Sequence, residues 1–184
     1  MFYIECLFYK IINIFSSILN IKKLSILNSD LQYSFETKRL KRKGVNLGVN
    51  SLVYNCTFSS SSKGDRFYIG DNCTLTGVIL LGHDASPTLF IKELCMDLKS
   101  WHPASRLSYR DPIYIGNNVF VGYGTIIMPG VKIGSNVVIG AGSVITRDIE
   151  DNVVVAGNPA KKIKSLETYI DKYKDLYQNF PDKF

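Results

Sequence analysis

Residues 113–146 read IYIGNNVFVGYGTIIMPGVKIGSNVVIGAGSVIT, and a β-branched aliphatic residue returns at every sixth position from Ile115 to Ile145. Glycine follows this residue in four repeats, at positions 116, 122, 134 and 140. A second row of apolar or small residues lies two positions earlier in each repeat. The members of this second row are Ile113, Val119, Thr125, Val131, Val137 and Ser143.

A period of six residues fits neither the 3.6-residue turn of an α-helix nor the simple alternation of a strand. It is the spacing expected of a coil with three short strands, in which every sixth residue takes the equivalent place on the next side. The aliphatic side chains then point inward and stack from coil to coil, so that the repeats bury one continuous core. Glycine after the aliphatic residue suits a corner that a side chain would crowd. The sequence therefore predicts a parallel β-helix.

The same period continues upstream in a weaker form. The run Ser59–Asp65 breaks the phase, and we interpret it as a small loop. The repeat is lost between Leu81 and Ile115, and residues 84–112 are predicted to form a long loop that leaves the coil. Such a loop in a compact domain is often functional. The apolar residues that keep the upstream period are Leu47, Val53, Phe67, Ile69, Cys73, Leu75, Ile79 and Leu81.

Helices are predicted at both ends of the coil. Residues 1–28 show apolar side chains near helical spacing; we expect this helix to pack against protein, with docking on a membrane surface as the alternative. Val153–Ala156 is predicted as the last strand, and Gly157-Asn158-Pro159 turns the chain out. Residues 165–180 are predicted to form an amphipathic helix with Ser165 as its N-cap. The predicted organisation is an N-terminal helical segment (1–45), a β-helix domain (46–157) and a C-terminal tail with a helix (158–184).

Composition excludes several classes of protein. The chain has 184 residues, of which 46% are hydrophobic, so we expect one folded domain. The four cysteines form no CxxC pair, which argues against a zinc knuckle or a disulfide framework and fits a reducing cytoplasm. No secretory signal is predicted, and the uncharged run Ile11–Ile21 is too short to span a bilayer. We expect a cytoplasmic protein, with contact to the inner face of the membrane as an option for residues 1–28.

Charge narrows the range of ligands. The net charge of +6 favours an anionic ligand or surface but does not choose among phosphate cofactor, nucleic acid and membrane. Its two basic runs lie at residues 38–43 and 161–164. Neither run has interleaved aromatic residues on one face, so nucleic-acid binding is not expected.

Three motifs carry a resemblance to a known family. They are Pro-Ile-x-Ile-Gly-Asn-Asn-Val from Pro112, Ile-Gly-Ala-Gly-Ser-Val-Ile-Thr from Ile139, and Gly-Asn-Pro-Ala-Lys from Gly157. Together they resemble the C-terminal coils of hexapeptide-repeat O-acetyltransferases, such as the galactoside, maltose, nodulation and polysaccharide-modifying enzymes. The weaker match extends back to Ile69. The resemblance implies an all-β fold, a left-handed parallel β-helix with N-terminal and C-terminal helices.

The same resemblance implies a homotrimer whose active sites lie between neighbouring subunits. It also implies acetyl-CoA as co-substrate, with no metal. The function that follows is acyl transfer to a sugar hydroxyl of a surface polysaccharide or its precursor.

A base is required, because a hydroxyl is a poor nucleophile at neutral pH, and histidine is the usual choice. The chain contains two histidines. His83 follows a glycine and precedes the long loop, as the catalytic base of the resembling family does, so the resemblance implies His83 as the general base. His102 is the alternative, although we expect it to be an ordinary loop residue. Asp84 is a weaker candidate for orienting His83, and Asp84, Trp101 and His102 are candidate acceptor contacts.

The resemblance also implies the groups that bind the acetyl donor. The amide of Tyr123 would donate to the negative tetrahedral centre. Small residues at positions 141–143 would let the pantetheine arm lie against the backbone, and Phe120 stands where many family members have tryptophan. Positions 161 and 164 match basic positions near the cofactor phosphates. The predicted cofactor-binding residues are Phe120, Gly122, Ala141, Gly142, Thr146, Arg147, Lys161 and Lys164.

Other functions remain open at this stage. An N-acetyltransferase acting on an amino sugar or a drug would use the same donor and base. A non-catalytic β-helix scaffold would share the coil sequence. A carbonic anhydrase of the γ type also shares the coil, but it needs three histidines around a metal, and this chain has two.

Overall fold

A computed structural model describes residues 22–61 and 63–184, which fall into two units. The described part of the first unit is one helix, α1 (Lys22–Arg42). The helix predicted over residues 1–28, with its proposed membrane contact, lies mostly outside the described residues. Within the described ranges, no helix is long and apolar enough to cross a membrane.

The second unit, Lys43–Phe184, winds into a three-sided column of parallel strands. Face 1 contains β1 (Val45–Leu47), β4 (Phe67–Ile69), β9 (Ile113–Ile115) and β12 (Lys132–Ile133). Face 2 contains β2 (Leu52–Tyr54), β5 (Thr74–Thr76), β10 (Val119–Val121), β13 (Val137–Ile139) and β15 (Val153–Gly157). Face 3 contains β3 (Thr57–Phe58), β6 (Ile79–Leu80), β11 (Ile126–Ile127) and β14 (Val144–Ile145). Each turn takes one strand from each face, as the period of six predicts.

Inward side chains fill the column. The predicted row from Ile115 to Ile145 is buried at every position, with no member more than 4% exposed. The parallel register stacks its members between turns; on face 2, for example, Val121 lies between Leu75 and Ile139. Strand residues alternate between the two sides of a sheet, so Phe120, between two buried valines, points outward.

The corner between face 1 and face 2 has an asparagine at every turn. These asparagines have φ between 55° and 60°, a left-handed conformation that asparagine tolerates better than most residues. Their side-chain amides also bond to one another between turns, for example Asn118 to Asn136 at 2.9 Å and Asn136 to Asn152 at 3.0 Å. Together the bonds and the φ angles hold this corner in register. The five residues are Asn50, Asn72, Asn118, Asn136 and Asn152.

The predicted inward row was wrong near residue 80. Val78 and Leu80 are fully buried, whereas Ile79 is 37% exposed and Leu81 is half-buried. Leu80 pairs with Ile127, but it lies five residues after Leu75, whereas Ile127 lies six residues after Val121. The corner before β6 is therefore one residue shorter, and the alternation after it shifts by one position.

The long loop leaves the column where it was predicted and has a paired stem. Strands β7 (His83–Asp84) and β8 (Tyr109–Arg110) form an antiparallel pair at its base. Two short 3₁₀ helices, Ser86–Leu89 and Lys92–Leu94, lie between them. The chain leaves and re-enters the column at one place, and we call residues 85–108 the excursion.

The C-terminal end was predicted in part. After Asn158-Pro159 the chain folds back as a sixth strand of face 2, β16 (Ala160–Ser165), antiparallel to β15. This strand was not predicted, and the predicted domain boundary at residue 157 cuts its hairpin. The helix α2 (Leu166–Asn179) follows, and the Ser165 hydroxyl caps it by accepting the Thr168 amide at 3.2 Å. The predicted Ser165 cap is thus confirmed, and residues 22–61 and 63–184 form strands and two long helices rather than a purely β structure.

We expect the stacked row to carry much of the stability of the column. Ile139→Ala removes a fully buried side chain and should lower the free energy of unfolding by about 2–5 kcal/mol. Ile163→Ala makes the same change at a position that is 58% exposed and should cost far less. Chemical denaturation of both variants measures the difference. Equal losses would contradict the inward assignment of Ile139.

Candidate active site

His83 lies at the point where the chain leaves the column. It is the first residue of β7, and its side chain is 25% exposed. Gly82 before it is required by packing, because a Cβ at this position would lie 2.6 Å from the Cβ of Asp65. The close packing of Gly82 against Asp65 therefore brings the imidazole of His83 close to the end of the loop Ser59–Asp65.

The partner of His83 is Asp65. Nδ1 of His83 lies 2.7 Å from Oδ2 of Asp65, whose side chain is completely buried. The hydroxyls of Ser59 and Ser61 donate to the same carboxylate at 2.6 and 2.9 Å. The Arg110 Nε donates to the Ser61 hydroxyl at 3.0 Å and lies 3.9 Å from Oδ1 of Asp65. We call these five residues the His83 cluster.

The cluster keeps Asp65 ionised. Burial raises the pKa of this carboxyl, but the hydrogen bonds from Ser59, His83 and Ser61 outweigh the effect of burial, and the net pKa lies below its ordinary value. An ionised carboxylate at this distance favours a proton on Nδ1 of the imidazole. The other ring nitrogen, Nε2, is then left as an acceptor, the form that a general base needs.

The carboxylate that contacts the imidazole of His83 is that of Asp65 and not that of Asp84. The Asp84 carboxylate accepts the amide and the hydroxyl of Ser86, at 2.8 and 3.0 Å. Successive side chains of a strand point to opposite sides, which separates Asp84 from the imidazole of His83.

Sequence reasoning missed Asp65, although a signal was present. Asp65 precedes His83 by 18 residues, which is about one turn of the column, since the corner before β6 is one residue shorter than the repeat of six. Both residues lie at the corner between face 3 and face 1, on adjacent turns. The loop Ser59–Asp65 was recognised as a break in the phase, but its polar residues were not connected to the histidine. Arg110 was also missed, because its place opposite His83 depends on the stem of the excursion.

The second histidine lies in the excursion. Its ring is exposed and meets Trp101 edge-on, with 6.1 Å between ring centroids. The Trp101 side chain is 74% exposed, and Nζ of Lys99 lies 5.3 Å from its ring centroid. Trp101 and His102 thus form a solvent-facing aromatic surface.

Three predicted cofactor residues, Gly122, Ala141 and Gly142, meet Tyr123 at the corner between face 2 and face 3. Gly122 lies directly beneath Ala141, because a Cβ on it would approach the Ala141 nitrogen to 2.5 Å. The Gly142 amide donates to the Tyr123 carbonyl at 2.8 Å, which joins the two turns. Within residues 22–61 and 63–184, the Tyr123 amide donates to no acceptor. It is free to donate to a ligand, as the predicted role requires.

The other five predicted cofactor residues lie on face 2 or at the corner between face 3 and face 1. Phe120 is 49% exposed on face 2, and Lys161 and Lys164 belong to β16, which extends the same face. Thr146 and Arg147 are exposed at the corner between face 3 and face 1, the edge of the column that also holds His83.

The predicted residues therefore fall into two groups within one chain. His83 lies at one edge of face 3 and Tyr123 at the other, on either side of the strands of that face. The structure does not bring the two into one site in a single chain. In the described part of the chain, no group of three or more His, Cys, Asp or Glu side chains could hold a metal.

Comparison with known proteins identifies the family to which the repeat belongs. Residues 112–147 match the family model described as bacterial transferase hexapeptide (six repeats). The chain is 44% identical over 141 residues to protein CapG of Staphylococcus aureus, covering 73% of each chain. It is 35% identical to the galactoside O-acetyltransferase of Escherichia coli over 138 residues, covering 73% of this chain and 66% of the relative.

Structural comparison supports the same fold. A hexapeptide-repeat acetyltransferase of Vibrio cholerae, solved in complex with acetyl-CoA, superposes with a TM-score of 0.56 at 21% identity. The match covers 73% of this chain and 78% of that one. This likeness concerns the fold, a left-handed parallel β-helix. On the repeat, the family match and the identity to its relatives, this chain belongs to the hexapeptide-repeat acetyltransferases.

Proposed function

We propose that this acetyl-CoA-dependent O-acetyltransferase acetylates a sugar hydroxyl, with His83 as its general base. The observation that carries the proposal is the His83–Asp65 pair, 2.7 Å apart, where the chain leaves the column. The family supplies the reaction and the acetyl donor, and a relative with 35% identity is named a galactoside O-acetyltransferase. We infer that the acceptor belongs to a surface polysaccharide or its precursor.

His83 and Asp65 have separate tasks in the proposed reaction. Asp65 holds the Nδ1–H of the imidazole, so that Nε2 faces the acceptor. Nε2 takes the proton from the acceptor hydroxyl while the hydroxyl oxygen forms a bond to the thioester carbonyl carbon. When the carbon–sulfur bond breaks, His83 returns this proton to the departing CoA thiolate. Asp65 stabilises the imidazolium that exists between the two transfers.

The negative oxygen formed during transfer needs a hydrogen-bond donor, and the unpaired Tyr123 amide is suited to this role. A single carbonyl cannot contact His83 and Tyr123 of one chain, because face 3 separates them. We therefore propose that the active site forms between two chains of a homotrimer, with His83 from one and the Tyr123 corner from its neighbour.

The Tyr123 corner also has the shape that a pantetheine arm needs. Ala141 and Gly142 are exposed, and a Cβ on Gly142 would meet nothing within 4 Å, so the backbone here is open to a ligand. Phe120 offers an aromatic wall beside it. We propose that Lys161 and Lys164 bind the CoA phosphates, and that Thr146 and Arg147 line the donor at the His83 edge. Trp101, His102 and Asp84 remain proposed contacts of the acceptor.

The first test concerns the base. His83→Ala should lower the turnover number by about two orders of magnitude or more, because general-base catalysis is lost. Binding of CoA and the oligomeric state should be unchanged. His102→Ala is the matched control: as a proposed acceptor contact it should raise the KM for the acceptor but keep most of the turnover number. Free thiol release with acetyl-CoA and a panel of sugars and amino sugars measures both; the reverse result would reassign the base to His102.

The second test concerns the orientation of the base. Asp65→Asn keeps the size of the side chain but removes the charge that holds the imidazole, and should lower the turnover number roughly ten- to a hundredfold, part of the general-base effect. Asp84→Asn makes the same chemical change at the adjacent carboxylate and should leave the turnover number nearly unchanged, with its effect as a proposed acceptor contact confined to KM. Steady-state kinetics compares them. A larger loss in Asp84→Asn would return the orienting role to that residue.

The third test concerns the donor. Replacing both Lys161 and Lys164 by alanine should weaken CoA binding roughly tenfold with little change in stability. Lys162→Ala is the control, because the Lys162 ammonium lies 2.6 Å from Glu150 and is engaged there. Calorimetric titration with CoA gives the dissociation constants. Full-affinity binding by the double variant would remove the proposed role.

A thermal-shift series with increasing CoA separates an enzyme from a scaffold. A non-catalytic scaffold would show no concentration-dependent thermal stabilisation by CoA.

A further inference from the structure

A small pocket opens beside the His83 cluster, at the corner where the chain leaves and re-enters the column. Its volume is about 240 Å³, less than that of a site for a whole drug-sized ligand. Glycines at positions 64 and 82 and Pro112 form part of its wall. The charged residues of the wall are Lys63, Asp65, Arg66, Arg110 and Asp111.

The pocket shares its walls with the neighbours of His83. Gly82 precedes His83 in the chain, and Arg110 is its partner across the antiparallel stem. Side chains directly opposite each other in such a pair leave the same side, with Cβ atoms about 4.5–5.5 Å apart. A group bound in the pocket therefore lies close enough to His83 to belong to the same small acceptor molecule.

Both carboxylates of the wall already have partners. Asp65 is completely buried and bonded to His83, with Arg110 beside it. Asp111 accepts a hydrogen bond from the Tyr109 hydroxyl at 3.0 Å. Lys63 and Arg66 are exposed, and in the described ranges neither side chain forms an ion pair or a hydrogen bond. The hydrogen bond from Tyr109 leaves the charge of Asp111 in place, but the wall has three cationic side chains against two carboxylates, one of which is completely buried, so its net charge is positive.

We propose that this pocket binds an anionic group of the acceptor, a carboxylate or a phosphate on the sugar that His83 deprotonates. The inference rests on the proposed function, because it assumes that the acceptor approaches His83. It narrows the acceptor from sugars in general to acidic sugars. Lys63 and Arg66 would form ion pairs with the anion. Arg110, which lies between the pocket and the His83–Asp65 pair, would hold the anion at a fixed distance from His83.

Matched sugars test the proposal by direct binding. Glucose, glucuronate and glucose 6-phosphate share one ring and differ in charge, as do galactose and galacturonate. At constant ionic strength, the wild-type protein should bind at least one acid about tenfold more tightly than its neutral partner, as expected for charge-assisted hydrogen bonds. A preference for glucuronate or galacturonate would identify the anion as a carboxylate, and a preference for glucose 6-phosphate would identify it as a phosphate.

The double variant Lys63→Ala with Arg66→Ala should abolish the preference. Both side chains are exposed, so the fold should tolerate their loss. Lys172→Ala on α2 removes one positive charge at the far end of the column and should keep the preference. No preference in the wild type, or one that survives in the double variant, would overturn the proposal. So would weaker CoA binding by the double variant with an unchanged sugar preference, because the anion would then be a CoA phosphate.

Turnover separates this inference from the proposed function. Acid binding that depends on Lys63 and Arg66, without any thiol release from acetyl-CoA, would support the pocket and refute the acyl transfer. Rapid thiol release with neutral and acidic sugars alike, unchanged in ratio by the double variant, would support the transfer and refute the pocket.

Discussion

The stacking of each inward side chain on its equivalent one turn away is the constraint on which the rest of the structure depends. A single turn contributes three short strands and cannot bury them alone, so each turn needs the next. The parallel register on every face and the asparagine corner both follow from this stacking. Because the stack is continuous, the position of a corner residue is determined by the turn of the column to which it belongs. Its neighbours along the chain have little influence on that position.

The His83 cluster is a product of that constraint. Asp65 and His83 are 18 residues apart in the chain, yet their side chains touch because one full turn separates them. The short hydrogen bonds to Asp65 come from a loop that the column holds at both ends, between β3 and β4. A buried carboxylate with several donors keeps its charge where an isolated one would take up a proton. The column thus provides a fixed negative charge behind the imidazole.

Most of the column could be predicted from the sequence, because the period of six is a direct record of which side chains face inward. The inward positions near Leu80 could not be predicted, because the sequence alone does not show that the preceding corner is one residue shorter. The shift becomes visible only when this turn is aligned with the next one. Strand β16 was missed because none of its side chains is buried, so that it carries no inward apolar row. His83 was proposed as the base by resemblance, whereas its neighbours Asp65 and Arg110 could be recognised only from the spatial alignment of turns and the pairing of the stem.

The stem of the excursion has a consequence for how this family member can change. Strands β7 and β8 pair at the base of the excursion, so the excursion is joined to the column at one place. The length of the excursion therefore does not change how one turn of the column stacks on the next. The column should therefore keep its fold when the segment 85–108 is lengthened, shortened or exchanged for that of a relative. The proposed acceptor contacts Trp101 and His102 lie in this segment, so their share of the acceptor selectivity can diverge while the His83–Asp65 pair stays the same.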